Sequence, residues 1–132
     1  MAGYSGTPLP KKLGIKDGHR VLLAGAPPAF ELDVDGAVEV LRRPSRPPYD
    51  VAVAFCKDNA QLVRRFAQLD GTMTTAGALW IAWPKKASGV RTDLNENVVR
   101  DVGLGAGLVD VKVCAIDDTW SGLKFVRRLR DR

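Results

Sequence analysis

The hydrophobic residues of this chain lie in short, nearly continuous apolar runs that are separated by glycine, proline and charged residues. Runs without polar alternation are typical of strands that are buried on both faces of a sheet. Most of them end at residues that favour turns, which sets their limits. The pattern predicts six strands, at residues 19–25, 38–41, 51–56, 77–83, 111–116 and 122–128.

Polar residues that cap helices stand before three segments of the chain. Thr7, Asp58 and Asp93 are the predicted caps, because a short side-chain oxygen can accept a hydrogen bond from a backbone amide of the first turn. Gly14 and Gly103 are the predicted ends of the first and third helices. The second helix is predicted to bury one apolar face, made of Leu62, Val63, Phe66 and Leu69.

The order of these elements predicts the fold class. Strands that alternate with helices and are buried on both faces indicate a parallel sheet with right-handed crossovers. The last two strands are joined by a tight turn at residues 117–121, so the final strand must run antiparallel. We predict a three-layer, Rossmann-like α/β fold with a mostly parallel six-stranded sheet and a C-terminal antiparallel hairpin. No repeat or linker interrupts the pattern, so we interpret residues 1–132 as a single domain.

The composition of the chain bears on how the fold is stabilised and on the compartment in which the protein is expected. With 132 residues and 45% hydrophobic content, the chain can bury a core without a metal or a disulfide. Its longest uncharged stretch, residues 71–84, is too short to cross a bilayer, and we expect no signal peptide. Cys56 and Cys114 stand apart in apolar runs, as reduced thiols do, so we expect a cytoplasmic protein.

The charge of the chain bears on its partners. Twenty Lys and Arg residues against fifteen Asp and Glu residues leave a net charge of +5, and a surplus of this sign favours anionic partners. The basic residues occur as scattered pairs with acidic residues between them. This distribution favours an anionic small molecule or a protein over nucleic acid as the partner.

Two parts of the sequence carry a resemblance to known families. Residues 13–23, with the sequence LGIKDGHRVLL, resemble the approach to the first strand of class I S-adenosylmethionine-dependent methyltransferases, and the final hairpin resembles the end of that fold. Over nearly its whole length the chain is similar to a family of short bacterial domains of unknown function, through WPKKASG at 83–89 and WSGL at 120–123. The resemblance implies a methyltransferase-like fold and little about activity.

The residues that such a methyltransferase uses for its cofactor are replaced in this chain. The resemblance implies alternating glycines after the first strand and an acidic residue after the second. Here a single glycine, Gly25, is followed by Pro27 and Pro28, which lack the backbone N–H that would face a ligand, and the second strand leads into Arg42 and Arg43. We predict a non-catalytic pseudo-enzyme without a cofactor. The alternative is a minimal S-adenosylmethionine-dependent methyltransferase with an atypical cofactor loop.

Other catalytic patterns are weaker. Arginines after the second strand could hold the phosphate of NADP, but the glycine fingerprint of that fold is missing. His19, the single histidine, lies at the start of a strand, whereas open α/β sheets bind ligands beyond the carboxyl ends of their strands. Cys56 lies at the correct edge without a histidine to activate it. The glycines of residues 103–107 follow a helix, which is the wrong order for a phosphate-binding loop.

Basic residues gather in the loops that this topology places at the carboxyl edge of the sheet. Loop 85–92 presents cations just before a helix N-terminus, where the helix dipole also favours an anion. The predicted ligand-binding residues are Lys85, Lys86, Ser88, Arg91, Arg43, Phe30 and Trp120. The alternative is a solvated basic loop, with Trp120 packed back on the sheet. We predict that this edge binds an anionic ligand or a protein partner, and a homodimer through a sheet edge or the Tyr4 arm is a third interpretation.

Overall fold

A computed structural model describes residues 7–132 and contains one six-stranded sheet. The strands are β1 (Arg20–Ala24), β2 (Glu39–Leu41), β3 (Tyr49–Phe55), β4 (Met73–Pro84), β5 (Leu108–Ala115) and β6 (Trp120–Arg127). The α-helices are α1 (Leu9–Lys12), α2 (Asn59–Leu69) and α3 (Glu96–Gly105), and short 3-10 turns lie at Lys86–Ser88 and Leu129–Asp131. Among these described residues, no helix combines the length and the apolar character that a membrane span requires.

The strands lie in the order β2-β1-β3-β4-β6-β5. The first four strands of the chain pair in parallel, whereas β6 runs antiparallel to both β4 and β5. This arrangement confirms the predicted α/β fold with a mostly parallel six-stranded sheet and a C-terminal hairpin. The chain moves from β1 outward to β2 and then returns to β3 on the other side of β1. This reversal creates a topological switch point between β1 and β3, the place where open α/β sheets bind ligands.

Two hydrophobic clusters cover the two faces of the sheet. On the first face, α2 and α3 pack through buried residues such as Leu62 and Val99. The second face is covered by the segment before β1 and by the connection between β1 and β2, through residues such as Leu13 and Phe30. Each face is therefore closed in a different way, by helices on one side and by irregular segments on the other.

The caps of α2 and α3 differ in how well the sequence predicts them. Asp58 caps α2, as predicted. The cap of α3 is Asn95, whose side-chain oxygen accepts a hydrogen bond from the Val98 amide at 2.9 Å, so the prediction of Asp93 is wrong. Asp93 instead accepts a hydrogen bond from the Asn59 amide at 2.8 Å. The Asp93 carboxylate therefore ties the loop before α3 to the start of α2.

Several element limits also depart from the sequence pattern. Pro8 rather than Thr7 occupies the cap position of α1, and α3 continues to Gly105. Val63 is 52% exposed, because it lies on the solvent side of α2 instead of in its apolar face. Strand β4 begins at Met73, four residues before its predicted start, through a threonine-rich segment with no apolar pattern. Tyr4, in the predicted N-terminal arm, lies outside the described residues.

Candidate functional site

The end of β1 at the switch point is defined by a glycine and an arginine. Gly25 has a φ of +72°, a backbone conformation that residues with side chains rarely adopt. The guanidinium of Arg65, from α2, lies over it, so that a Cβ on Gly25 would be 2.5 Å from the Arg65 Cζ. The same guanidinium donates through Nη1 to the Phe55 carbonyl at the end of β3 and to the Gln61 Oε1. A cation therefore stands between the carboxyl ends of the two strands that flank the switch point.

The loop after β1 is held in place by the arginine that follows β2. Arg42 donates hydrogen bonds to the carbonyls of Phe30 and Pro27, both at 2.8 Å. The Phe30 ring is buried and meets the Phe55 ring edge-on, with 4.9 Å between the ring centroids. Arg42 therefore fastens the loop to the sheet, at the position where the resemblance implies an acidic residue.

Beside this loop, a cleft of about 510 Å³ opens next to the last residues of β1 and β2. Leu23 and Val40 form its floor, and the exposed carboxylates of Glu31 and Asp33 lie on its wall. Its lining residues are Leu23, Glu31, Leu32, Asp33, Val34, Val40 and Arg42. Two carboxylates are thus available near the end of β2, although they come from the loop and not from the strand.

A second cleft, of about 560 Å³, lies at the carboxyl end of β4. Its walls are apolar where Trp83, Val90 and Leu94 contribute, and Lys86 and Arg91 add two exposed cations. The loop is anchored at its start, because the Lys85 amide donates to the Thr119 carbonyl at 2.7 Å. This cleft combines an apolar surface with positive charge at the edge where the sequence predicts an anion site.

The residues predicted to bind a ligand are only partly brought together. Lys86 and Arg91 line the second cleft, whereas Lys85 and Arg43 do not. Ser88 uses its hydroxyl within the loop, donating to the Lys85 carbonyl at 2.6 Å and accepting from the Val90 amide at 3.1 Å. The loop is therefore a folded turn rather than an open chain.

The two predicted aromatic residues lie inside the protein. Phe30 and Trp120 both pack against Phe55, and the Trp120 and Phe55 ring centroids are 5.1 Å apart. Each is at most 8% exposed. Both rings therefore support the carboxyl edge of the sheet through their contacts with Phe55, and they present little surface to a ligand in this conformation.

The histidine and the cysteines occupy positions that limit their chemistry. His19 lies before β1, where its Nδ1 accepts a hydrogen bond from the Lys16 amide at 3.1 Å. This is the edge opposite to the clefts. Cys56 is fully buried, and burial raises the pKa of its thiol to about 11. Burial also raises the pKa of the half-buried Cys114. Both thiols are therefore protonated at neutral pH and weak as nucleophiles.

Three residues of the site were missed by the sequence analysis. Arg65 occurs in a helix with a polar side, and nothing in its spacing indicates that it turns back to the sheet. Glu31 and Asp33 lie in a connection without periodicity, so their approach to the cleft depends on tertiary structure. The one available signal was the pair of acidic residues placed between a buried aromatic residue and the second strand.

Among known proteins, this chain is similar to solved structures only. No family model matches the chain, and no curated protein matches it. Among solved structures, it is similar to a ribosomal protein L11 methylase from Lactobacillus delbrueckii subsp. bulgaricus, with a TM-score of 0.59, 12% identity, and coverage of 91% of this chain and 75% of that one. It is also similar to a TehB-like SAM-dependent methyltransferase from Corynebacterium glutamicum, with a TM-score of 0.58, 11% identity, and coverage of 96% and 91%.

A third similar structure is the tRNA methyltransferase TrmK of B. subtilis, with a TM-score of 0.56, 10% identity, and coverage of 93% of this chain and 65% of that one. The chain has the fold of class I S-adenosylmethionine-dependent methyltransferases. The resemblance noted in the sequence is confirmed at the level of fold. At identities this low, the similarity extends to the fold and leaves activity to be argued from the site.

The groups at the end of β1 fit the chemistry of an S-adenosyl ligand. Such a ligand carries an α-carboxylate at one end, an adenine at the other, and a ribose with two hydroxyls between them. Arg65 offers a cation whose Nε and Nη2 have no hydrogen bond among residues 7–132, and Glu31 and Asp33 offer acceptors for hydroxyls. The fit departs from the family pattern in the loop, where Pro27 and Pro28 lack amide donors. Side chains would therefore replace the usual backbone contacts.

Proposed function

We propose that this chain binds S-adenosylmethionine at the carboxyl ends of β1 and β2 and is a minimal methyltransferase with an atypical cofactor loop. The observation that carries the proposal is the Arg65 guanidinium over Gly25 at the switch point. The carboxylates of Glu31 and Asp33, in the cleft beside the ends of β1 and β2, add acceptors for hydroxyl groups. The class of similar structures supports this catalytic interpretation over a non-catalytic one.

Each group has a distinct task in this proposal. Arg65 pairs with the ligand carboxylate, because a guanidinium forms strong charge-assisted hydrogen bonds with carboxylates. Glu31 and Asp33 accept hydrogen bonds from the ribose hydroxyls. Gly25 permits the Arg65 guanidinium to lie close to the backbone at the end of β1, since any side chain at this position would collide with it. When bound, the cofactor supplies a methyl group on a positively charged sulfur, ready for transfer to a nucleophile.

Calorimetric titration with S-adenosylmethionine and S-adenosylhomocysteine tests this proposal. We expect saturable binding by the parent protein, weakened about tenfold to a hundredfold in Arg65→Ala, because hydrogen bonds to charged groups contribute roughly 1.5–3 kcal/mol. Arg64→Ala is the matched control, since Arg64 precedes Arg65 on α2 but is exposed, and its affinity should equal that of the parent.

Two outcomes would contradict cofactor binding. One is the absence of saturable binding by the folded parent protein, and the other is equal affinity in Arg65→Ala and Arg64→Ala. If Arg65→Ala is poorly folded by thermal unfolding, the pair Glu31→Gln with Asp33→Asn replaces it, because both side chains are exposed. Unchanged affinity in the variant Glu31→Gln, Asp33→Asn would mean that these two carboxylates do not bind the cofactor.

A second candidate function is the binding of an anionic ligand in the cleft at the end of β4. The specific observation is the combination of apolar walls at Trp83, Val90 and Leu94 with the cations of Lys86 and Arg91. Such a site suits an anion with an apolar body, either a small molecule or a segment of a protein partner. It is independent of the cofactor, and it would equally serve a non-catalytic domain.

Phenyl phosphate is a suitable probe for this cleft, because it joins a ring to a compact anion. We expect its largest amide shifts in NMR titration at Gly89 and Val90, and a roughly tenfold weaker affinity in the double variant Lys86→Gln, Arg91→Gln. The control is Arg64→Gln with Arg130→Gln, which removes the same charge from exposed positions elsewhere. If both double variants lost the same affinity for phenyl phosphate, the effect would come from overall charge, and this cleft would be excluded as the binding site.

A further inference from the structure

Two lysines face each other on the second face of the sheet, at positions that line neither of the clefts described above. Lys112 on β5 and Lys124 on β6 are direct cross-strand partners. Lys124 is also the partner of Trp80 on β4, which belongs to the second hydrophobic cluster. Like charges directly opposite each other on antiparallel strands destabilise a sheet. The pair is therefore an unfavourable arrangement that calls for a compensating group.

The segment before β1 carries Lys12 and Lys16 and lies against both side chains of this pair. The Lys112 Nζ donates to the Lys12 carbonyl at 3.4 Å, and the Lys124 Nζ lies 3.6 Å from where a Cβ on Gly14 would be. The segment itself is fixed to the sheet, because the Trp80 Nε1 donates to the Leu13 carbonyl at 3.1 Å. Both ammonium groups thus lie beneath one short segment, whereas mutual repulsion alone would drive them apart into solvent.

No carboxylate forms a salt bridge with Lys112 or Lys124 within the described part of the chain, whereas Lys16 shares a cleft with Asp17, Asp33 and Asp35. The salt bridges between residues 7 and 132 involve Arg20 and Arg100, and none includes Lys16, Lys112 or Lys124. Burial, followed by the charges of Lys112 and Lys16, lowers the pKa of Lys124. Residues 1–6 contain no Asp or Glu that could supply the missing charge. An anion bound from solution would compensate the repulsion between Lys112 and Lys124.

We infer that Lys112 and Lys124 form a binding site for a compact phosphate ligand of the diphosphate type, separate from the clefts at the carboxyl edge. Two ammonium groups beneath the same segment suit several closely spaced negative oxygens better than a single carboxylate. Lysine binds phosphate as a point charge without a fixed geometry, so flexible side chains from the two strands can converge on it. Nothing in the proposed methyltransferase function requires this site.

Calorimetric titration of the full chain with inorganic pyrophosphate tests the inference. We expect one binding event at low ionic strength, weakened at least about tenfold in the double variant Lys112→Gln, Lys124→Gln. The control variant Arg64→Gln, Arg130→Gln loses the same charge and should bind as the parent does. Without ligand, the lysine double variant should unfold at a higher temperature than the parent, because the cross-strand repulsion is removed.

Other results would overturn the inference. Absence of binding by the parent would mean that the site does not exist. Equal weakening in both double variants would reduce the effect to overall charge. Loss of binding in Lys86→Gln, Arg91→Gln instead would place the phosphate in the cleft at the end of β4. If the lysine double variant is poorly folded, NMR titration of the Lys124 ammonium in the parent decides the matter. Pyrophosphate should raise the pKa of Lys124, since a nearby anion favours the charged form, and an unchanged pKa would exclude the site.

Discussion

At the scale of single residues, two arginines have structural roles that the net charge of the chain does not predict. Arg42 and Arg65 both turn toward the sheet and donate to backbone carbonyls at the ends of strands or loops. Their side chains therefore determine the shape of the carboxyl edge in addition to its charge. Arg42 donates its hydrogen bonds to the loop, whereas Nε and Nη2 of Arg65 have no hydrogen bond within residues 7–132. For this reason we propose Arg65, and not Arg42, as the ligand-binding arginine.

Gly103 gives a prediction at the same scale. A Cβ at this position of α3 would overlap the ring of Phe125, which is fully buried on β6 and packs edge-on against Phe66 of α2. Alanine favours a helix over glycine by about 0.5–1 kcal/mol, but forced overlap in a packed core costs about 1–3 kcal/mol. Because a Cβ would overlap three atoms of the Phe125 ring, the cost should lie in the upper part of its range. We therefore expect Gly103→Ala to lower the free energy of unfolding by about 1–2 kcal/mol, measured by urea titration.

Gly105 provides the matched control for that measurement. It lies in the same helix, and a Cβ there would meet no atom within 4 Å. Gly105→Ala should therefore leave the free energy of unfolding unchanged or raise it by up to about 1 kcal/mol. If both variants changed stability in the same direction and by the same amount, helix propensity would be the dominant effect and the contact with Phe125 would be unimportant.

At the scale of elements, the sequence predicts strands well and connections poorly. The limits of the buried strands β1 and β3 are predicted to within two residues. Short, continuous apolar runs that are bounded by turn residues are typical of buried strands. The hairpin of β5 and β6 follows from its tight turn. The two connections around β2 have no periodicity and contain prolines, and they form no helix in the structure. Their paths depend on contacts such as that between Arg42 and Phe30, which no local pattern contains.

The candidate site shows the same division. Lys86 and Arg91 could be predicted, since their loop follows a buried strand and the topology fixes its edge. The burial of Phe30 and Trp120 could not, because an aromatic residue in a loop can point either way until its neighbours are known. Arg65 reaches the end of β1 from α2, whereas Glu31 and Asp33 reach their cleft from the loop between β1 and β2. Each of these placements depends on the folded sheet and not on a local pattern.

At the scale of the whole molecule, the two faces of the sheet differ in construction. One face is covered by α2 and α3 and contains Cys56, which has no exposed surface. The other is covered by the segment before β1 and by the loop after it. Cys114 lies at that second face and is half-buried. The two cysteines therefore report on different parts of the structure, the helix-covered core and the less regular side.

This asymmetry predicts two separate thiol reactions. At pH 8 a thiol with a pKa of about 11 is ionised in only about one molecule in a thousand, and Cys56 is also shielded by the packed core. In a Cys114→Ser variant, we expect Cys56 to react with a disulfide reagent only through global unfolding, at a rate that rises with urea as the unfolded population does. In the matched Cys56→Ser variant, Cys114 should react through local opening, with little dependence on urea. A rate for Cys56 that is independent of urea would mean that the helix-covered face opens locally. In that case α2, which carries Arg65, would be mobile enough to reshape the proposed cofactor site.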